Sequence, residues 1–386
     1  MNVERKCLNI IPIKFCYPLA LVVFISLWFP SVESFFRRAG LRWVYILIFS
    51  LSLSLSLTPI MKRIALKFKL LDFPSARKIH RHPTPILGGV AVYSAFTFSL
   101  LKNFILDPGM KAVLLGATVV FLFSLIDDIK RLSPALRLGV QILAVSLLLK
   151  YGVYLVLFPP YLWWGMVVNA VLTYLWVIGI ANAFNFLDGM DGLAAGLSGI
   201  TAFFLGMVAF ETNQPYLGWL AVAALGSSVG FLPYNFKIRG DAEIFLGDSG
   251  STFLGFILAS IAVKGEWADN NPIVSLTAPL LIFAVMIYDM VHITVSRVLT
   301  GKVKSVKEWI AYVGRDHIHH RFESLFRSKK QSVLFIYLIS ICLGITALLL
   351  RSATTKDALI LLGQGATILI LITFLERAGN RLERRR

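Results

Sequence analysis

Charge is scarce in this 386-residue chain. Charged residues of both signs make up 15%, and Asp and Glu number 21 against 38 Lys and Arg. A soluble protein of this length would need far more charge to cover its surface. With 57% hydrophobic residues, a mean hydropathy of +0.75 and apolar runs of about 20 residues recurring from end to end, the chain reads as an integral membrane protein. Cysteine is scarce too. Cys7, Cys16 and Cys342 lie in or beside apolar segments without disulfide or metal-ligand spacing, so they read as small hydrophobes. Sustained alternation of apolar and polar residues is missing, which excludes a β-barrel and leaves helices to satisfy the backbone. No internal repeat is evident. The apolar stretch after Arg5 and Lys6 is followed by "FPSVESFF", which offers no small-x-small cleavage site, so an uncleaved anchor is expected.

What is present is a net charge of +17. It does not point to nucleic acid, because the basic residues lie between apolar segments, where they set membrane orientation. Twelve helices are expected, at about 8–29, 43–60, 86–105, 111–126, 134–150, 162–181, 191–210, 216–234, 250–264, 273–298, 331–350 and 357–376. "SLSLSLS" (50–56) is read as ordinary span, with serines bonding back to the preceding turn. If the N-terminus is cytoplasmic, the inner segments carry 29 of the 38 Lys and Arg, and both termini lie inside. The chain then divides into an anchor helix and linker (1–42), a transmembrane unit (43–376) and a basic tail (377–386).

The same assignment puts every polar cluster on the cytoplasmic side. "NAFNFLDGMDG" sets Asn182, Asn185, Asp188 and Asp191 at intervals of three, so that Asn182 and Asn185 share one helix face, with Gly189 and Gly192 loosening the backbone. "LIDDIK" ends a span with Asp127 and Asp128, acidic residues at a depth where they are usually functional. "GDSGS" (247–251) opens a helix whose free N–H groups suit a phosphate. "RDHIHHR" (315–321) gathers three of the six histidines with two arginines. His-x-His-His lacks the helical spacing of a zinc pair and has no evident closing ligand, so an anion or sugar clamp is favoured. These histidines are expected to be exposed and half-charged near pH 6.5. Their loop, about 299–330, is long enough to act as a lid. Lys78, His80 and Arg81 add basic groups to the same side. So many carboxylates in one place call for cations, and carboxylates with amide oxygens suit Mg²⁺. Mg²⁺ ringed by Lys, Arg and His at a membrane surface suits phosphate chemistry on a lipid.

"PTPILGG", "DDIKRLSP", "NAFNFLDGMDG", "FLPYNF…IFLGDSGS" and "RDHIHHR", in that order, resemble the polyprenyl-phosphate N-acetylhexosamine-1-phosphate transferases over residues 43–376. The spacing of "RDHIHH" is similar to the WecA/TagO branch of that family more than to the MraY branch, which uses UDP-MurNAc-pentapeptide. The resemblance implies an all-α polytopic membrane fold, with an eleven-helix core plus one extra N-terminal helix, and an active site at the cytoplasmic face of a bacterial inner membrane. It implies transfer of a sugar 1-phosphate, GlcNAc first, from a UDP-N-acetylhexosamine to a polyprenyl phosphate, with release of UMP. It implies Mg²⁺, with Mn²⁺ as a substitute, held by Asp248 and Asn185, and a proton-accepting or positioning role for Asp127 or Asp128. Asp191, Asn235 and Phe245 match uracil-binding positions, with Asp188 beside them, while Arg315, His317, His319 and His320 match a sugar-diphosphate loop joined by Lys78. A homodimer is a further expectation. Arg321 and Arg137 depart from the MraY pattern, where histidine and lysine are usual.

Overall fold

A computed structural model describes residues 13–73, 82–104, 107–267, 272–305, 308, 312, 314, 316–350 and 353–383. Lys78, His80, Arg81 and Arg315 therefore lie outside the described residues, as do 384–386 of the basic tail. The helices are α1 (Ile13–Ser26), α2 (Pro30–Arg38), α3 (Arg42–Lys67), α4 (Gly88–Lys102), α5 (Pro108–Lys130), α6 (Pro134–Lys150), α7 (Trp163–Leu187) and α8 (Leu193–Glu211). They continue with α9 (Pro215–Asn235), α10 (Gly247–Lys264), α11 (Pro272–Ile282), α12 (Ala284–Leu299), α13 (Ile318–Phe326), α14 (Lys329–Leu348) and α15 (Thr355–Glu383). A two-residue antiparallel ladder, β1 (Leu71–Asp72) with β2 (Thr84–Pro85), is the sheet among the described residues.

The twelve expected segments fall on helices or bent pairs of helices, and the chain is a multi-pass membrane protein. By length and apolarity alone, seven of the described helices can cross a bilayer, or nine if two bent pairs are counted as spans. The reason is visible at α4, whose 15 residues reach about 22 Å, short of a hydrocarbon core of about 30 Å. The expected straight span at 273–298 is instead two helices meeting at 77°. α2 likewise turns 79° away from α1.

α10 is the axis of the bundle. Its residues from Ser249 to Val263 are all buried, against α4, α5, α7, α8 and α9. Small residues allow the closest approaches. A Cβ on Gly226 or Gly230 of α9 would stand 2.6 Å from Leu47 O and 2.4 Å from Leu51 O of α3, so glycine lets these backbones touch, as in other membrane helix pairs. The serine run faces that contact. Ser50 does bond back to Ile46 O (2.9 Å), but Ser54 reaches across to Ser227 O of α9 at 2.7 Å. On the far side of α3, Leu27, Tyr45 and Phe49 tie α1 to the bundle.

Candidate active site

Loops at one end of the bundle, the C-terminal ends of α5, α7, α9 and α12 and the starts of α4, α8, α10 and α13, bring the sequence clusters together. The start of α10 is held on two sides. Gly88 N donates to Phe245 O (3.0 Å) and Gly89 N to Leu246 O (2.8 Å). A Cβ on Gly89 would lie 2.5 Å from Gly250 N, which is why "LGG" can lie flat against "GDSG". On the other side Asp128 accepts from Asp248 N (2.9 Å) and Ser249 N (3.0 Å), capping α10 from the end of α5. Gly247, at φ +78, makes the turn into the helix.

Beside this cap is a cleft between α5, α6, α7 and α10, lined by Asp127, Arg137, Gln141, Asn182, Asn185 and Asp248. Asp127 is 4% exposed. It accepts from Leu132 N and pairs with Arg137 Nε at 2.8 Å. Arg137 Nη1 is also 3.3 Å from Asp248 Oδ2, so one guanidinium spans two carboxylates. Asn182 and Gln141 exchange amide bonds at 2.9 and 3.3 Å, and Asn185 Nδ2 donates to Ser251 Oγ at 3.2 Å. The two halves of the expected catalytic pair thus do different things. Asp127 lines the cleft, whereas Asp128 holds the α10 backbone.

The second half of the Asn/Asp ladder at 182–191, which ends in the turn 188–192, forms another wall. Asp191 Oδ2 accepts from Ala242 N at 2.8 Å, and Asn235 joins Gly192 N (2.9 Å) to Ile244 O (3.0 Å). Phe245 N donates to Pro85 O at 2.8 Å. Asp191, Asn235 and Phe245 are thus held by backbone contacts of neighbouring loops, with Asp188 near enough to feel the charge of Asp191. Desolvation pushes the Asp188 carboxyl well above its usual range, and the charges of Asp248, Asp128 and Asp191 push it the same way.

The histidine segment is not the exposed loop expected from sequence. Residues 318–326 form α13, His317 is 8% exposed and His319 is 1% exposed. A Cβ on Gly189 would lie 2.5 Å from His319 Nε2, so α13 closes directly over the ladder turn. Burial, then the neighbouring His320, His317 and Arg321, hold His319 well below the usual imidazole range. It is neutral, not half-charged, near pH 6.5. Neither of its ring nitrogens has a hydrogen-bond partner among the described residues. Buried polar atoms are nearly always satisfied, so this ring keeps the capacity for a further hydrogen bond. His320 sits 3.9 Å from Glu323, and Arg297 clamps Asp316 with bonds of 2.7 and 2.8 Å.

Residues 110–266 match the family described as Glycosyl transferase family 4. The chain is also 35% identical over 341 residues to a Bacillus subtilis (strain 168) protein named "Probable undecaprenyl-phosphate N-acetylglucosaminyl 1-phosphate transferase", covering 87% of this chain and 91% of that one. The chain belongs to glycosyl transferase family 4. It is 32% identical to the decaprenyl-phosphate N-acetylglucosaminephosphotransferase of Mycolicibacterium smegmatis (71% of this chain, 74% of that one). It is 29% identical to the undecaprenyl-phosphate alpha-N-acetylglucosaminyl 1-phosphate transferase of Escherichia coli K12 (73% and 77%).

Among the described residues, no group of three or more His, Cys, Asp or Glu is arranged to cage a metal. The donors do fit Mg²⁺. It takes one or two protein carboxylates and fills its shell with water and phosphate oxygens. The Asp248 side chain is 43% exposed, in the same cleft as Asn185, amid an excess of carboxylates over the one guanidinium.

Sequence reasoning missed Asp289, Arg297 and Glu376. Asp289 Oδ1 accepts from Ile318 N (2.6 Å) and its Oδ2 lies 2.8 Å from His317 Nδ1. Glu376 receives Arg321 Nη1 at 2.7 Å, bringing α15 to the site. A signal existed for Asp289, since a carboxylate inside an apolar span is rarely idle.

Proposed function

We propose that the chain transfers an N-acetylhexosamine 1-phosphate, GlcNAc first, from a UDP-sugar to a polyprenyl phosphate, at the cytoplasmic face of a bacterial inner membrane. The observation that carries this reading is the convergence of the carboxylate cleft and the orphaned His319 on the ladder turn 188–192. The named activities of the relatives supply the reaction class.

An oxygen of the lipid phosphate attacks the β-phosphorus, the atom bearing the sugar 1-oxygen. That bond forms as the bond from the β-phosphorus to the bridging oxygen breaks, and UMP leaves with the electron pair. A phosphate monoester is largely ionised at pH 7, its second pKa being about 6, so little is gained from a general base. Asp127 serves instead to hold Arg137, whose guanidinium is positioned to receive the incoming phosphate. Asp248 and Asn185 would hold Mg²⁺, which supplies charge neutralisation for the diphosphate. Asp191, Asn235 and Phe245 form the uracil wall, with Asp188 beside them. Buried neutral imidazole at His319 suits a sugar hydroxyl or N-acetyl group. Arg315, His317, His320 and Lys78 complete the diphosphate and sugar contacts.

The test is UMP release by the purified chain in detergent, with UDP-GlcNAc, polyprenyl phosphate and Mg²⁺. Turnover that needs all three is the expected result. Turnover of UDP-MurNAc-pentapeptide with none of UDP-GlcNAc or UDP-GalNAc would assign the donor to the other branch, and no dependence on lipid phosphate would remove the reading altogether.

A further inference from the structure

Asp289 stands in α12, is 1% exposed and belongs to none of the motifs that carry the family resemblance. A carboxylate so enclosed in apolar surroundings is retained only where it is partnered. Its partners are specific. Oδ1 accepts from Ile318 N at 2.6 Å, which caps the first turn of α13 from 29 residues away. Oδ2 lies 2.8 Å from His317 Nδ1. Arg321 Nη2 is 3.6 Å from Oδ1, and the same guanidinium meets Glu376 at 2.7 Å and His292 Nε2 at 3.2 Å.

A helix cap needs one oxygen. The second fixes the ring of His317, and because the two ring nitrogens lie on opposite edges, Nε2 is turned away from Asp289. The ring lies beside Phe186 (centroids 5.4 Å apart), the residue after Asn185, and is stacked near His319 at 5.9 Å. We propose that Asp289 is a positioning residue of this site: it sets the start of α13 and holds the proton of His317 on Nδ1, leaving Nε2 as the acceptor presented to the sugar donor. The part of this that concerns the donor rests on the function proposed above.

The substitution Asp289→Asn separates positioning from packing. The amide keeps the size of the side chain, and its oxygen can still accept from Ile318 N. Its NH₂ then faces His317 Nδ1, which must become the acceptor, so the proton moves to Nε2. The same logic accounts for the large effect of Asp-to-Asn changes in other His–Asp pairs.

Two measurements test it. The first is the ¹⁵N NMR spectrum of histidine-labelled protein in detergent, recorded well above the ordinary imidazole pKa of about 6.5, with His317→Gln identifying the signal. The proton is expected on Nδ1 in the wild type and on Nε2 in Asp289→Asn; a wild-type proton on Nε2 overturns the proposal. The second is a double-mutant cycle on UMP release. Asp289→Asn is expected to lower kcat/KM for the donor about 10- to 100-fold, as second-layer partners of functional histidines do, with the KM for lipid phosphate unchanged. In a His317→Ala background it should cause no further loss, whereas additive losses show a merely structural role and overturn the proposal. Should the wild type release no UMP, the transferase reading fails, and the NMR result still decides whether Asp289 sets the tautomer.

Discussion

The side chain of Asp128 meets the backbone of Asp248 rather than its carboxylate: it accepts from Asp248 N at 2.9 Å and from Ser249 N at 3.0 Å. The two acidic residues therefore fail differently when changed. Asp128→Ala leaves two N–H groups at the start of α10 without their acceptor, at about 1–3 kcal/mol. It should lower the thermal midpoint in detergent as well as activity. Asp248→Asn should leave the midpoint nearly unchanged and abolish turnover. Equal stability losses in both would show that Asp128 is not the cap.

Gly189 is a contact point rather than a flexible joint. An added Cβ would lie 2.5 Å from His319 Nε2, and His319 is too enclosed to swing aside. Gly189→Ala should therefore displace α13 and raise the donor KM, about 10-fold or more if the shift removes one good hydrogen bond of about 1.5 kcal/mol. The KM for lipid phosphate should hold. A change confined to the lipid substrate would place α13 elsewhere in the reaction.

How much of this was legible in the sequence depends on whether partners are near in the chain. Asn182, Asn185, Asp188 and Asp191 announce themselves because a period of three puts them on one helix face and its following turn. Asp127 and Asp128 were visible as a pair, but their division of labour was not, since it depends on Arg137 and on the α10 backbone 120 residues away. Asp289 sits alone in an apolar run, and its partners lie 28 and 29 residues on. The bend at Phe283 went unread as well: Pro279 stands one turn before it, but the run stays apolar throughout and reads as a single span. The histidines were misjudged for a related reason. Their neighbours are polar in sequence, yet α13 folds His319 inward against Gly189, and burial holds that one imidazole below its usual range.

The metal assignment makes a quantitative demand. If Asp248 and Asn185 hold Mg²⁺, Asn185→Ala should raise the Mg²⁺ concentration needed for half-maximal turnover more than it lowers the rate at saturating metal. Asp248→Asn should not recover at any Mg²⁺ concentration. Chelation should stop wild-type turnover reversibly. Full activity of either variant at ordinary Mg²⁺ would remove that residue from the metal site.

The orientation expected from the positive-inside bias can be tested directly. After replacement of Cys7, Cys16 and Cys342, single cysteines at Gly240, in the site-facing loop, should escape an impermeant reagent applied to intact cells. A cysteine at Tyr161, 84% exposed at the opposite end of the bundle, should react. The reverse pattern would put the active site on the outer face.

His319 provides the last prediction, and its sign follows from burial. In the folded chain its pKa is held well below 6.5, chiefly by desolvation and then by His320, His317 and Arg321. In the unfolded chain it titrates near the ordinary value of about 6.5. Below that value the unfolded state takes up a proton that the folded state refuses, so stability is lost as pH falls, by about 1.4 kcal/mol per pH unit once this single group is fully protonated in the unfolded chain. Above it, His319 contributes nothing to the pH dependence. The thermal midpoint of the wild type in detergent should therefore fall more steeply between pH 6.5 and 5 than that of His319→Gln, which keeps a polar side chain of similar reach but binds no proton. Parallel curves would mean that His319 is charged in the folded protein. It would then grip phosphate as a cation, and the neutral hydrogen-bonding role proposed for it would be wrong.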